Sequence, residues 1–121
     1  MGYMRHHAII VTNWHSEKDT YQPRGAATIE DAHREAIRIG LRPTPVTDPV
    51  TNGYRTFFVP PDGSKEGWEE SEAGDSRRDE FVEWLEKQTY DDGSTPLDWA
   101  EVQYGDDDGH QYVVRASNRR S

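Results

Sequence analysis

Arg77 and Arg78 stand in the run Gly74-Asp75-Ser76-Arg77-Arg78-Asp79, where the local pattern places the start of a helix. The unsatisfied N–H groups of a first helical turn carry partial positive charge, so acidic residues are favoured there and arginines are not. Two readings account for the exception. The guanidiniums pair with Asp75, Asp79 or the nearby Glu69, Glu70 and Glu72, or they converge with the helix N–H groups on a phosphate or carboxylate.

A second group lies upstream. Tyr54, Arg55, Phe57 and Phe58 precede Ser64, Lys65 and Trp68, which sets aromatic rings beside two cations. Rings that stack on bases and cations that meet phosphates suit a nucleotide. The same aromatic residues at strand spacing equally suit a core or a dimer contact. The loop bearing Lys65 and Trp68 is the better binding element, since long ordered loops often serve recognition.

His6 and His7 are adjacent in a strand and point to opposite faces, so they cannot hold one metal together. His7, at a strand end, is a candidate for ligand contact. Asp106-Asp107-Asp108 lacks the alternate spacing and distal glutamate of a calcium loop, and Asp91-Asp92-Gly93 fails in the same way. No metal site and no cofactor are expected. P-loop, dinucleotide-glycine and nucleophile-elbow patterns are missing, so no catalytic residue is assigned. The candidate ligand-binding set is His7, Arg55, Lys65, Trp68, Arg77 and Arg78.

These side chains belong to a chain of 121 residues, one domain's length. It carries 14 Lys plus Arg against 23 Asp plus Glu, a formal charge of −9. That balance argues against wrapping nucleic acid, which needs a concentrated basic surface. Only a locally positive pocket would draw an anion. Leu, Ile, Val and Phe make up 19 residues, about 16 % of the chain, below the roughly 20 % at which high charge begins to favour disorder. Four Trp and six Tyr, placed within patterned segments, supply the missing apolar surface. A folded, core-poor domain follows.

Having no cysteine, the chain has no disulfide, thiolate zinc site or cysteine nucleophile. Its longest apolar run, Ala8–Val11, is far short of the roughly 20 residues of a membrane helix. Met1–His7 lacks the apolar stretch and small-residue cleavage site of a signal peptide. A soluble cytoplasmic protein with no membrane partner is expected.

Strands and helices alternate to position the candidates. His6–Trp14 reads as a central strand, apolar on both sides. Ser16–Ala27 is a loop. Thr28 caps a helix over about 29–39, with Asp31 three residues on, an apolar stripe of Ile29, Ala32, Ala36 and Ile39, and Gly40 as its stop. Pro43–Val50 is an edge strand at most, joined through Asn52-Gly53 to a second arm, Tyr54–Val59. Ser64–Gly74 is an acidic loop, after which Asp75 or Ser76 caps a helix over Arg77–Gln88.

Leu97–Tyr104 alternates, with Ala100, Val102 and Tyr104 opposite Trp99, Glu101 and Gln103. His110–Arg115 alternates likewise, with Tyr112 and Val114 opposite Val113, across a Gly105–Gly109 hairpin loop. Residues 116–121 form a flexible tail. The whole is a single α+β domain over 1–121. It is a ferredoxin-like βαββαβ sandwich with an added C-terminal strand and two helices on one face of an antiparallel sheet. The other sheet face is left open, and a homodimer through it is expected.

Three stretches, HHAIIVTNW (His6–Trp14), NGYRTFFVPPDGSKEGWEESEAGD (Asn52–Asp75) and LDWAEVQYGDDDG (Leu97–Gly109), resemble a family of small uncharacterised bacteriophage and bacterial proteins. The resemblance covers most of the chain apart from Ser16–Arg24 and the tail. It carries over no catalytic residue. What it implies is setting: a phage accessory gene that interferes with a host defence or a host enzyme.

Three functions follow, from different classes. The first is a non-catalytic binding protein for a small anionic, nucleotide-like ligand, held in a pocket at an oligomer interface. The second is an acidic inhibitor of a host enzyme or nucleic-acid-binding protein. The third is a small hydrolase or phosphodiesterase using His7, His33 or a carboxylate pair. The partner is accordingly a small anionic ligand or a host protein.

Overall fold

A computed structural model of the chain describes residues 6–13, 28–50, 53–61, 69–88, 95, 97–105 and 111–117. Strand β1 (His6–Asn13), helix α1 (Ile29–Ile39), strand β2 (Arg55–Val59), helix α2 (Glu69–Glu86), strand β3 (Leu97–Tyr104) and strand β4 (Tyr112–Ala116) follow in that order. All strand pairings are antiparallel, and the sheet order is β2-β1-β3-β4. The class is α+β: one four-stranded antiparallel sheet and two helices.

The ends of α1 are set by its local chemistry. The Thr28 hydroxyl accepts from the Asp31 N–H at 3.2 Å while the Asp31 carboxylate accepts from the Thr28 N–H at 3.0 Å, a complete capping box. Gly40 takes φ 107° at the far end, and the Leu41 N–H reaches back to the Ala36 carbonyl at 2.9 Å.

Two expected elements are corrected. Pro43–Val50 is irregular chain and not a strand, yet it lies along β2. The Thr44 and Thr47 N–H groups donate to the Phe58 and Thr56 carbonyls at 2.8 and 2.9 Å. In return, the Thr44 and Thr47 hydroxyls accept from the Phe58 and Thr56 N–H groups at 3.1 and 3.0 Å. Pro43, Pro45 and Pro49 break a regular ladder, so threonine hydroxyls replace the strand carbonyls as acceptors.

The second correction moves the start of α2 from Arg77 back to Glu69. Glu69, Glu70, Glu72 and Ala73 are good helix formers, and acidic side chains suit the positive end of a helix. Gly74, which resembles a boundary, costs only about 1 kcal/mol inside a helix and lies buried within this one. Arg77 and Arg78 therefore fall in the third turn. Backbone N–H groups there are already bonded within the helix, so the helix-start anion site does not exist at these residues.

One face of the sheet supplies Ile9, Val11, Phe57, Val59, Leu97 and Trp99 to the core. Ile29, Ala32 and Ala36 of α1 and Phe81, Val82 and Leu85 of α2 pack against them, so both helices cover that face. His33 ties α1 to the irregular segment: its Nε2–H donates to the Thr44 carbonyl at 2.9 Å, and its ring meets Phe57 edge-on.

The outer strand carries a bulge. Glu101 faces Arg115, Val102 faces Val113 and Gln103 faces Tyr112, which leaves Val114 as the extra residue. Under strict alternation Arg115 would share Val113's side. The bulge instead puts Arg115 and Tyr112 together on the helix side of the sheet. The Ser117 N–H donates to the Trp99 carbonyl and its hydroxyl accepts from the Trp99 N–H, each at 2.9 Å. Ala116 and Ser117, placed in the flexible tail on sequence grounds, are thus held against β3, and residues 118–121 lie outside the described residues.

Candidate functional site

On the helix side of β3, apolar Leu97 and Trp99 give way to Glu101 and Gln103. The Glu101 side chain is 4 % exposed. A carboxylate at that depth must be paired, and two arginines reach it. Arg115, its cross-strand neighbour, donates from Nε to Oε1 at 2.7 Å. Arg78 comes from α2, with Nε 3.8 Å from Oε2 and its own side chain 8 % exposed.

The outer ends of both guanidiniums are held by aspartates of α2. Asp75 accepts from Nη2 of Arg78, and Asp79 accepts from Nη2 of Arg115 at 2.8 Å. The result is a chain of alternating charge, Asp75–Arg78–Glu101–Arg115–Asp79. Burial would lower the Arg115 proton affinity, but Glu101 and then Asp79 outweigh it and hold the guanidinium above its ordinary range.

This chain lines a cleft of about 510 Å³ between α2 and the β1–β3–β4 side of the sheet. His7, opposite Gln103 in the ladder, and Val114 of the bulge line it too. The Tyr112 hydroxyl donates to Oε1 of Gln103 at 3.0 Å, so the donors that Gln103 brings are its carboxamide N–H groups. The cleft offers fixed guanidinium donors, a carboxamide and an imidazole on one concave wall. Three carboxylates, Asp75, Asp79 and Glu101, share that wall and hold both guanidiniums, so the cleft can take a polar ligand that exchanges for one of these partners.

Comparison with protein-family models, curated proteins and solved structures found no match.

Of the six candidate binding residues, the cleft brings together His7 and Arg78. Arg77 is the preceding residue on α2 and points elsewhere. It is exposed and crosses α1's end, its Nε 3.3 Å from where a Cβ on Gly40 would stand. Arg55 pairs with Glu30 at the start of α1. It faces Asn13 in the ladder, six residues along β1 from His7, about 20 Å away at strand rise. Arg55 therefore lies apart from the cleft, which a single chain forms by itself. Lys65 and Trp68 lie outside the described residues, as do Asp91-Asp92-Gly93 and Asp106-Asp107-Asp108.

The remaining aromatics have structural places. Phe57 is in the core and Phe58 is on the open face, 41 % exposed. His6 lies on that face too, against Tyr104 with ring centroids 5.5 Å apart. Among the described residues no group of three His, Asp or Glu side chains is placed to hold a metal ion. No helix among them is long and apolar enough to cross a membrane.

Glu101, Gln103, Arg115, Asp75 and Asp79 belong to the cleft but not to the candidate set. Glu101 carried a usable signal, a charge on the inward side of a strand next to Leu97 and Trp99. Arg115 carried none, because its face depends on the bulge.

Proposed function

We propose that the protein is a non-catalytic binding protein that captures a small anionic, nucleotide-like ligand in the cleft beside α2. The observation behind this reading is that one buried carboxylate, Glu101, is shared by two guanidiniums that line the cleft. Buried ion clusters are poor sources of stability, and well-packed apolar residues commonly do as well or better. A core-poor domain that devotes three positions to such a cluster, on the wall of a cleft, fits a binding role.

In the phage accessory setting that the resemblance implies, capture in the host cytoplasm withdraws a signalling ligand from a defence response. Isothermal titration against mononucleotides, dinucleotides and cyclic dinucleotides tests the reading. Saturable heat with at least one, lost in Arg115→Ala, supports it. No heat across the panel overturns it.

The architecture is read as ferredoxin-like, with 43–50 in place of the second strand and β4 as the added one. The Thr44 and Thr47 bonds to β2 support this, since they run where a strand would pair. The partner on the open face is read as a second copy. Two neighbouring cross-strand rows there are apolar throughout: Phe58, Ile10, Ala100 and Ala116, then Ala8, Val102 and Val113. A partner chosen by charge finds nothing to grip in these rows. An identical face meets them without like-charge contact.

A second function draws on α2. Glu69, Glu72, Asp75, Asp79, Glu80, Glu83 and Glu86 are exposed along it, against one exposed cation, Arg77. That row suits docking on a basic host protein. Salt-sensitive capture that survives Arg115→Ala but fails in Glu80→Lys/Glu83→Lys would favour this function over ligand capture.

A further inference from the structure

The two guanidiniums of the cleft are bound at both ends, and the two ends differ. Their inner partner, Glu101, is 4 % exposed, whereas the outer partners Asp75 and Asp79 are 51 % and 61 % exposed. Exposed ion pairs are weak and easily exchanged, while a buried carboxylate cannot leave without stranding its partners. Asp75 and Asp79 are four residues apart on one helix and so lie on one side of it, about 6 Å apart along the axis.

We propose that Asp75 and Asp79 are built-in competitors, each occupying on a guanidinium the place that a ligand oxyanion takes on binding. This rests on the capture reading and extends it to the ligand's chemistry and its control. With both aspartates in place, the five-residue chain sums to a formal −1, which repels an anion. With both turned out to solvent, Arg78, Arg115 and Glu101 sum to +1 on fixed, bidentate donors.

A ligand must replace two carboxylates at once to gain the full site. One bearing two linked oxyanion groups does so, whereas a single phosphate exchanges for one aspartate and still meets the other. The ligand class is therefore pyrophosphate-like, as in a nucleoside diphosphate. The aspartates hold the guanidiniums in place while the cleft is empty and reject simpler anions.

Inorganic pyrophosphate and inorganic phosphate are the probes, titrated calorimetrically into the full chain at about 0.15 M salt, where the screening length is roughly 8 Å. Asp75→Asn/Asp79→Asn is expected to tighten pyrophosphate binding about ten-fold, because the competing charge is gone. Asp48→Asn/Glu69→Gln makes the same change in net charge away from the cleft, one beside β2 and the other at the far end of α2. It is expected to change affinity less than about two-fold, since exposed charges beyond a screening length act weakly. Binding in the wild type that is unchanged or weakened by the asparagine pair overturns the competitor role and leaves capture standing. Equal tightening in both double variants also overturns it, in favour of general repulsion. Silence from every protein, the asparagine pair included, overturns capture and competition together.

Discussion

Glu101 and Arg115 face one another across the β3–β4 ladder, and the arginine Nε donates to the carboxylate at 2.7 Å on the helix side of the sheet. Arg78 approaches the same carboxylate from α2, so neutralising Glu101 strands two guanidiniums. Glu101→Ala is expected to cost about 3–5 kcal/mol, read as a lowered urea midpoint. Replacing all three, Arg78→Leu/Glu101→Leu/Arg115→Leu, is expected to recover most of that loss while abolishing ligand binding. A triple variant as unstable as the single one would make the cluster a stabilising device and remove the argument for a binding role.

Gly105 ends β3 at φ 83°, and a Cβ there would stand 2.7 Å from Cδ2 of His6. Gly105→Ala therefore meets two penalties. The left-handed backbone costs roughly 1–2 kcal/mol for any side chain, and the imidazole must also move off Tyr104. In the His6→Ala background only the first penalty survives. The double-mutant cycle is expected to show that Gly105→Ala is milder without the ring, and purely additive midpoints would show that His6 simply swings away.

Arg55 closes on Glu30 beside the Thr28 cap of α1. Burial alone would raise the Glu30 carboxyl. The hydrogen bond from Arg55, the backbone N–H of Glu30, the Arg55 charge and the Thr28 hydroxyl together hold it below the ordinary glutamate range. Glu35 is lowered by its hydrogen bond from Arg38, against a smaller effect of burial. A carboxyl depressed in the folded state binds fewer protons there than in the unfolded chain. Its contribution is thus complete above the ordinary glutamate range and is lost as pH falls through the depressed value. Arg55→Ala should flatten the acid limb of stability against pH, while at pH 7 the change stays within about 1 kcal/mol for so exposed a pair. An acid limb of unchanged slope would uncouple the pair from stability.

Local signals were legible where a few neighbouring residues decide the outcome. Thr28 with Asp31 begins α1 and Gly40 ends it, because capping is settled within one turn. The alternation of Leu97–Tyr104 placed Trp99, Glu101 and Gln103 on one side for the same reason. Where two local signals compete, the sequence is ambiguous: Gly74-Asp75-Ser76 imitates a helix start, but the helix formers Glu69–Ala73 continue through it. Arg78 thus reached the cleft although the helix-start reason for choosing it fails. Arg115 depended on one inserted residue, Val114, which exchanges the faces of β4. No periodicity reveals a bulge that exists only against its partner strand.

The open sheet face sets the last expectation. Phe58 and Ile10 are cross-strand neighbours, each 41 % exposed, and Val113 across the sheet is 53 % exposed. An isologous dimer would bury all three on both copies at roughly 25 cal/mol per Å² of apolar area. Ile10→Lys/Phe58→Lys places like charges against one another at the centre of that interface while leaving the helix-side core untouched. Sedimentation velocity over a range of concentrations is expected to show the wild type as a dimer and this variant as a folded monomer. The monomer should retain ligand heat, since the cleft lies on the other side of the sheet. A wild type that sediments as a monomer at high micromolar concentration would leave the apolar rows without a second copy and direct attention to a different partner.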